Sequence, residues 1–165
     1  MKFLVKQSEL NSPQAYDKIF FERQKKGVDE HDMRRWKRLL RHYAGGRIAD
    51  LGCLDSEIPK LMGKFASYVG MDLAEESIKK MREKYPWHLF LVADITDCKN
   101  VLKDSSADYA ILGEVLEHLP EPEKAIKEAM RILKPGGWLA VSVPLEEARE
   151  PGACDAERHL WSFSK

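Results

Sequence analysis

The sequence predicts a doubly wound α/β domain of five mostly parallel strands, preceded by two helices. Three observations carry this. After Gly46, short apolar runs alternate with amphipathic segments of helical period, which implies a parallel sheet with right-handed crossovers. The stretch Arg47-Ile-Ala-Asp-Leu-Gly-Cys-Leu-Asp-Ser56 reads as a buried strand, a sharp turn at Gly52 and a helix start capped by Asp55 or Ser56. Acids close the first three strand candidates, at the carboxyl ends where such sheets bind ligands.

With 165 residues the chain fits one domain, read as a helical cap (1–45), a sheet core (46–144) and a substrate-side tail (145–165). Its 27 basic and 27 acidic side chains leave no overall charge to draw it to nucleic acid or membrane. The distribution is uneven, because residues 1–47 hold twelve Lys or Arg against six Asp or Glu. Cys53, Cys98 and Cys154 are odd in number and widely spaced, which fits neither a disulfide framework nor a paired zinc pattern. That usage, and the lack of an apolar run near the ~20 residues that span a bilayer, give a cytoplasmic expectation with no membrane partner.

Ser12-Pro13 opens the first helix with a cap and a proline at its first position; Tyr16, Ile19, Phe20 and Arg23 share one side, and Gly27 ends it. Asp29 caps a second helix with Met33, Trp36, Leu40 and Tyr43 on one face and Arg34, Arg35, Lys37, Arg38 and Arg41 around the rest, stopped at Gly45-Gly46. Two roles are open to this pair: cover for one side of the sheet, or a lid that places Tyr16 and Phe20 over a ligand. Strands are expected at 47–51, 67–71, 88–93, 107–113 and 137–143, with helices near 56–65, 74–85, 97–102 and 122–134. Pro135-Gly136-Gly137 is read as a turn before the last strand.

Asp50 lies beside the glycine turn, where it can order the loop or meet a positively charged ligand tail. Asp72 follows Gly52 by 20 positions, the separation at which an acid accepts from ribose hydroxyls. Asp94 ends the third strand and can accept from an adenine amino group. Each has a plain alternative as a turn or cap residue; their joint placement argues for a nucleoside-like ligand.

The chain resembles the class I S-adenosylmethionine (SAM)-dependent methyltransferases, and within them the small type 11 group. The resemblance runs in order through Gly46-Arg-Ile-Ala-Asp-Leu-Gly-Cys53, Val69-Gly-Met-Asp-Leu-Ala74, Val92-Ala-Asp-Ile95, Gly113-Glu-Val-Leu-Glu-His-Leu-Pro120 and Leu133-Lys-Pro-Gly-Gly-Trp-Leu139, and His159-Leu-Trp-Ser-Phe-Ser164 looks like the segment before the family's late helix. It implies a Rossmann-like fold with strand order 3-2-1-4-5 and SAM as cofactor. Asp50, Gly52 and Cys53 would line the methionine end, Asp72 and Leu73 the ribose, and Asp94 and Ile95 the adenine, with Glu114 near the methyl donor. A SAM ligand also suits the acids on physical grounds, since it carries an ammonium and a sulfonium and no phosphate to repel them.

Two departures follow. Leu54 and Ser56 stand where the family usually has its second and third glycines, and a side chain there costs ~1 kcal/mol or more if the backbone must take positive φ. The family usually adds a helix and two strands after the segment at 159–164, which this sequence does not include, so the strand at 137–143 is expected at an open edge: either the chain is a fragment, or the edge is covered by the tail or by a second subunit in a homodimer.

Glu114, Glu117 and His118 fall on one side of a helix by spacing, and resemble the metal-binding Glu-x-x-Glu-His of small-RNA 3′-end methyltransferases, with His159 the candidate fourth ligand. The same letters are usual in metal-free type 11 enzymes, so no metal is expected. Methyl transfer from a sulfonium needs in-line approach, and a base only where the acceptor is protonated; His118, then His159, are the candidates for that base. The expected function is methyl transfer to a small molecule. The alternatives are a binding or assembly module that keeps the fold, motivated by Leu54 and Ser56, and an RNA-modifying enzyme, motivated by the basic second helix.

Overall fold

The computed structural model describes residues 12–144. Ser12 caps α1 (Pro13–Lys26), its hydroxyl accepting from the Ala15 N–H at 3.3 Å, and Gly27 at φ 72° ends it. Asp29 opens α2 (Glu30–Leu39) with a reciprocal capping box, Asp29 accepting from the Asp32 N–H and Asp32 from the Asp29 N–H. Then follow β1 (Arg47–Leu51), α3 (Ile58–Met62), β2 (Ser67–Asp72), α4 (Glu75–Lys84), β3 (Leu89–Val92), β4 (Ala107–Gly113), a 3₁₀ turn (Leu116–His118), α5 (Pro122–Ile132) and β5 (Leu133–Ser142). All four strand pairings are parallel, and the order is β3-β2-β1-β4-β5, as the resemblance implies.

Alternation along the strands feeds two cores. Ala49, Leu51, Val69, Met71, Ala110 and Leu112 face α5 with Ala125, Ala129 and Ile132. Ile48, Tyr68, Phe90, Tyr109 and Ile111 face the opposite way and meet Trp36 and Leu39 of α2, Ile58 of α3, and Ile78 and Met81 of α4. Helix α2 is therefore a true layer of the sheet. Helix α1 buries only Ala15 and Phe20 and lies further out.

Three sequence expectations are corrected. Residues 97–102 form turns, not a helix: the Val101 and Leu102 N–H groups both donate to the Cys98 carbonyl at 2.9 Å, and Cys98 is pinned by the Glu128 carboxylate through its own N–H at 3.1 Å and its thiol at 3.2 Å. The last strand starts at Leu133, opposite Ala107, and Pro135-Gly136-Gly137 makes an irregularity within it where the register shifts between Ala107 and Tyr109. Gly136 takes φ 80° there. Third, α2 ends at Leu39, well before the glycine pair, with a turn over 40–42. The expected open edge is present, β5 pairing only with β4 among the described residues. No helix among them is long and apolar enough to cross a membrane.

Candidate active site

The strand order reverses between β1 and β4, and a cavity of about 590 Å³ opens at their carboxyl ends. Asp50, Gly52 and Cys53 line it from β1 and the following loop, and Gly113, Glu114, Glu117 and His118 from the end of β4. Arg23 of α1 and Arg35, Trp36 and Leu39 of α2 close it from above. The N-terminal helices are thus both cover and roof.

By strand parity Asp50 points with Ile48 toward α2, and it is 3% exposed. The Tyr68 hydroxyl donates to its Oδ2 at 2.7 Å, and Ser56 also bonds its carboxyl. Burial pushes Asp50 up to about 6, against the pull of those two hydroxyls. Gly52 turns the chain at φ 84°, and a Cβ there would sit 2.5 Å from Val115 Cγ2, so the turn admits only glycine without a shift. Gly70 has a similar task on β2, where a Cβ would meet Cys53 Sγ and Phe90 Cδ1, each at 2.9 Å. Burial raises the Cys53 thiol well above its ordinary range, so it stays neutral.

The two departures from the glycine pattern are accommodated differently. Leu54 adopts φ 36°, the left-handed region that a leucine enters at a cost. It is held there from both sides, its N–H donating to Asp72 Oδ2 at 2.9 Å and its carbonyl accepting from the Ser77 hydroxyl. Ser56 is buried and useful: besides meeting Asp50, its Oγ accepts from the Ile58 N–H at 3.2 Å and so starts α3.

Asp72 is 6% exposed and does not line the cavity. Its oxygens accept from the Leu54 N–H and, at 2.9 Å, from the Ala74 N–H, with Leu73 contributing a further backbone bond. Burial raises it to about 6 despite these donors. Asp94 accepts from the Thr96 N–H at 2.8 Å and hydroxyl at 2.7 Å, and Ile95 is buried in the α5-side core. Leu73, Asp94 and Ile95 also lie outside the cavity lining. The structure therefore gathers Asp50, Gly52, Cys53, Glu114 and His118, and leaves the four expected nucleoside-side residues apart from them.

Glu114, Glu117 and His118 do not share a helical face. Glu114 takes φ 55° with its N–H on the Ser142 carbonyl at 2.9 Å, so the chain turns before the short 3₁₀ turn begins. Glu117 points inward at 1% exposure, and His118 Nε2 lies 3.9 Å from its Oε1. Among the described residues, the one group of His, Cys, Asp and Glu with ligand atoms within 4.8 Å of one another is Asp29, His31 and Asp32, where Asp32 already faces two guanidiniums. His159 lies outside the described residues.

This sheet order, with a glycine turn and a cavity at the switch point, matches a known family. Residues 49–141, more than half of the chain, match the family model described as a methyltransferase domain, of type 11. The chain belongs to that family. Among its relatives, a ubiquinone biosynthesis O-methyltransferase of Thiobacillus denitrificans is 30% identical over 116 residues, 66% of this chain and 48% of the relative. A demethylmenaquinone methyltransferase of Desulfitobacterium hafniense is also 30% identical over 116 residues, covering 66% and 46%. The chain thus spans about half the length of these curated relatives. A solved SAM-dependent methyltransferase of Archaeoglobus fulgidus shares the fold, with TM-score 0.64 and 22% identity over 76% of this chain and 57% of that one.

The family implies SAM, and the residues present can be tested against it. An acid that stays inside the cavity, a glycine turn that brings the backbone close, and a further acid at Glu114 suit a ligand with an ammonium and a sulfonium. On the nucleoside side, backbone N–H groups of Leu54, Leu73 and Ala74 already engage the Asp72 carboxylate, which leaves it one further acceptor position for a ribose hydroxyl. Several site residues are silent in the sequence. Tyr68 reads as a buried strand aromatic and Arg35 as one of many basic residues on α2; only Arg23, a charge on the apolar side of α1, stands out by position.

Proposed function

We propose that this chain binds SAM and transfers its methyl group to a small-molecule acceptor. The observation that carries the reading is the cavity at the β1/β4 crevice, which joins an acidic floor at the strand ends to a helical roof in a member of a methyltransferase family. In this reading Asp50, Gly52, Cys53 and Glu114 hold the methionine end, and Asp72, Leu73, Asp94 and Ile95 serve the nucleoside. When bound, SAM supplies a methyl group already activated by its sulfonium.

The chain's own residues then orient and desolvate. Trp36, Leu39 and Ile111 give the cavity apolar walls that exclude water from an acceptor. In this reading His118 takes a proton from it, and the Glu117 carboxylate, 3.9 Å from its Nε2, supports the role by favouring the charged imidazole. In the same reading 1–45 is the cap, 46–144 the cofactor core and 145–165 the acceptor side, the protein works in the cytoplasm, and a second copy covers the β5 edge. The O-methyltransferase name of one relative favours an oxygen acceptor.

Titration calorimetry with SAM tests this directly. A folded chain that gives no heat at millimolar SAM would end the cofactor reading. A second reading, a module that keeps the fold without turnover, is favoured by one observation: Leu54 occupies Asp72 where a ribose is expected to bind. SAM binding with no methyl transfer to any of a panel of phenols, amines and carboxylates would support that reading instead.

A further inference from the structure

Arg23 is the most heavily engaged side chain of α1 and its partners lie on two other elements. Its Nε is 2.7 Å from Asp55 Oδ1, in the loop after β1, and its Nη2 is 2.7 Å from Asp32 Oδ2, in the first turn of α2. Both acids are buried, and the Arg23 side chain is 25% exposed. Asp32 is shared with Arg35, whose Nη2 lies 3.1 Å from its other oxygen. Gln24 of α1 reaches Asp55 Oδ2 at 3.5 Å.

The rest of the attachment of α1 is thin in apolar area. Only Ala15 and Phe20 are buried, while Asp17 accepts from the Glu76 N–H at 3.0 Å at the start of α4. A helix held this way depends on its polar ties, and among them Arg23 combines a hydrogen bond to one buried carboxylate, Asp55, with an ion pair to another, Asp32. Asp55 adjoins Leu54, the residue whose N–H engages Asp72. A displacement of the roof at Arg23 is therefore passed through Asp55 to the segment whose N–H holds Asp72.

We infer that Arg23 is a positioning residue that joins the roof helix α1 and the cofactor loop at 53–56 into one unit, so that filling the cavity and closing the roof are coupled. This deepens the proposed function and rests on it for the ligand, though not for the mechanical link. It also assigns a task to the residue between the two departures from the glycine pattern: Asp55 is the loop's handle on the roof.

The test uses the full chain as wild type, Arg23→Lys, Asp55→Asn and the double variant. Lysine keeps the charge and removes the fork, which guards against loss of folding. Hydrogen exchange on the unliganded proteins should show Arg23→Lys accelerating exchange about tenfold in both 13–26 and 52–57, with the helix 75–84 unchanged. S-adenosylhomocysteine affinity by calorimetry should fall about tenfold in each single variant and no further in the double, the mark of one shared interaction. Faster exchange confined to α1, or single-variant losses that add in the double, would overturn the coupling. Should S-adenosylhomocysteine fail to bind the wild type, the cofactor reading falls while the exchange arm still decides the link.

Discussion

Asp50 and Asp72 close adjacent parallel strands, are both buried, and are both raised to about 6, yet they do different work. Asp50 is held by side-chain hydroxyls, those of Tyr68 and Ser56, and faces the cavity. Asp72 is held by backbone N–H groups from Leu54, Leu73 and Ala74 and faces the loop it organises. Hydroxyls rotate to suit a new partner, whereas backbone donors move only with the chain. One acid is therefore held adaptably at the cavity, and the other is fixed in place by the backbone around it.

The largest effect expected is common to both acids. Their folded-state values lie above the ordinary 3.8, so between about pH 4 and 6 the folded state binds more protons than the unfolded state. The stability they contribute is full below pH 4 and is lost as pH rises through 6, up to about 3 kcal/mol for each acid. Glu128 acts in a lower window with the opposite sign: Arg131 holds it down to about 2, so its contribution is lost as pH falls from 4.5. Urea midpoints measured from pH 5 to 7 should decline with rising pH in the wild type, and the decline should be shallower in Asp50→Asn and in Asp72→Asn. An upward slope in that window would show that neither acid is held protonated by burial.

Replacing Asp72 with Asn separates the two acids most sharply in stability. The amide presents an NH₂ to one of the backbone N–H groups, leaving a buried donor without its acceptor, at a cost of about 1–3 kcal/mol at pH 7. Asp50→Asn should leave stability unchanged or raise it at pH 7, because it removes a buried charge while its carbonyl can accept from Tyr68 and its NH₂ can donate to Ser56. Its effect should be on the ligand, with SAM affinity falling about tenfold through the loss of a charge facing an ammonium. Chemical denaturation and calorimetry on the same two proteins would erase the distinction if Asp50→Asn proved the less stable of the pair.

The smallest effect concerns the residue between them. Leu54→Gly relieves a left-handed leucine but frees the unfolded chain, so the net change should stay within about 1 kcal/mol. SAM affinity should be retained or improved, since the Leu54 N–H to Asp72 bond is a backbone contact that glycine also makes. A loss of affinity beyond tenfold would mean that the leucine side chain itself contacts the ligand.

Much of the fold is legible in the chain. Ser12, Pro13, Gly27 and Asp29 act locally, through caps and turn geometry, and the helices they bound fall where those residues put them. The segment 97–102 misleads because its helical look is overridden by a partner 30 residues away, the Glu128 carboxylate on Cys98. The glycines before Trp138 mislead because whether they end a loop or bend a strand depends on what β4 offers opposite them. Glu114 misleads because a spacing of three and four residues marks a common face only on a continuous helix, and its backbone is left-handed.

The sequence by itself determined the strand and helix alternation, the glycine turn after β1 and an acid near the end of each of the first three strands, and its resemblance to a known family implied the sheet order. Periodicity and backbone stereochemistry are local and survive without a partner. Only the tertiary structure decided which acid opens to the cavity, how Leu54 and Ser56 are accommodated, and that Arg23 bridges α1, α2 and the loop after β1. Those outcomes depend on which donors distant segments bring to a buried carboxylate, and burial makes each such pairing obligatory without saying in advance where the partner lies.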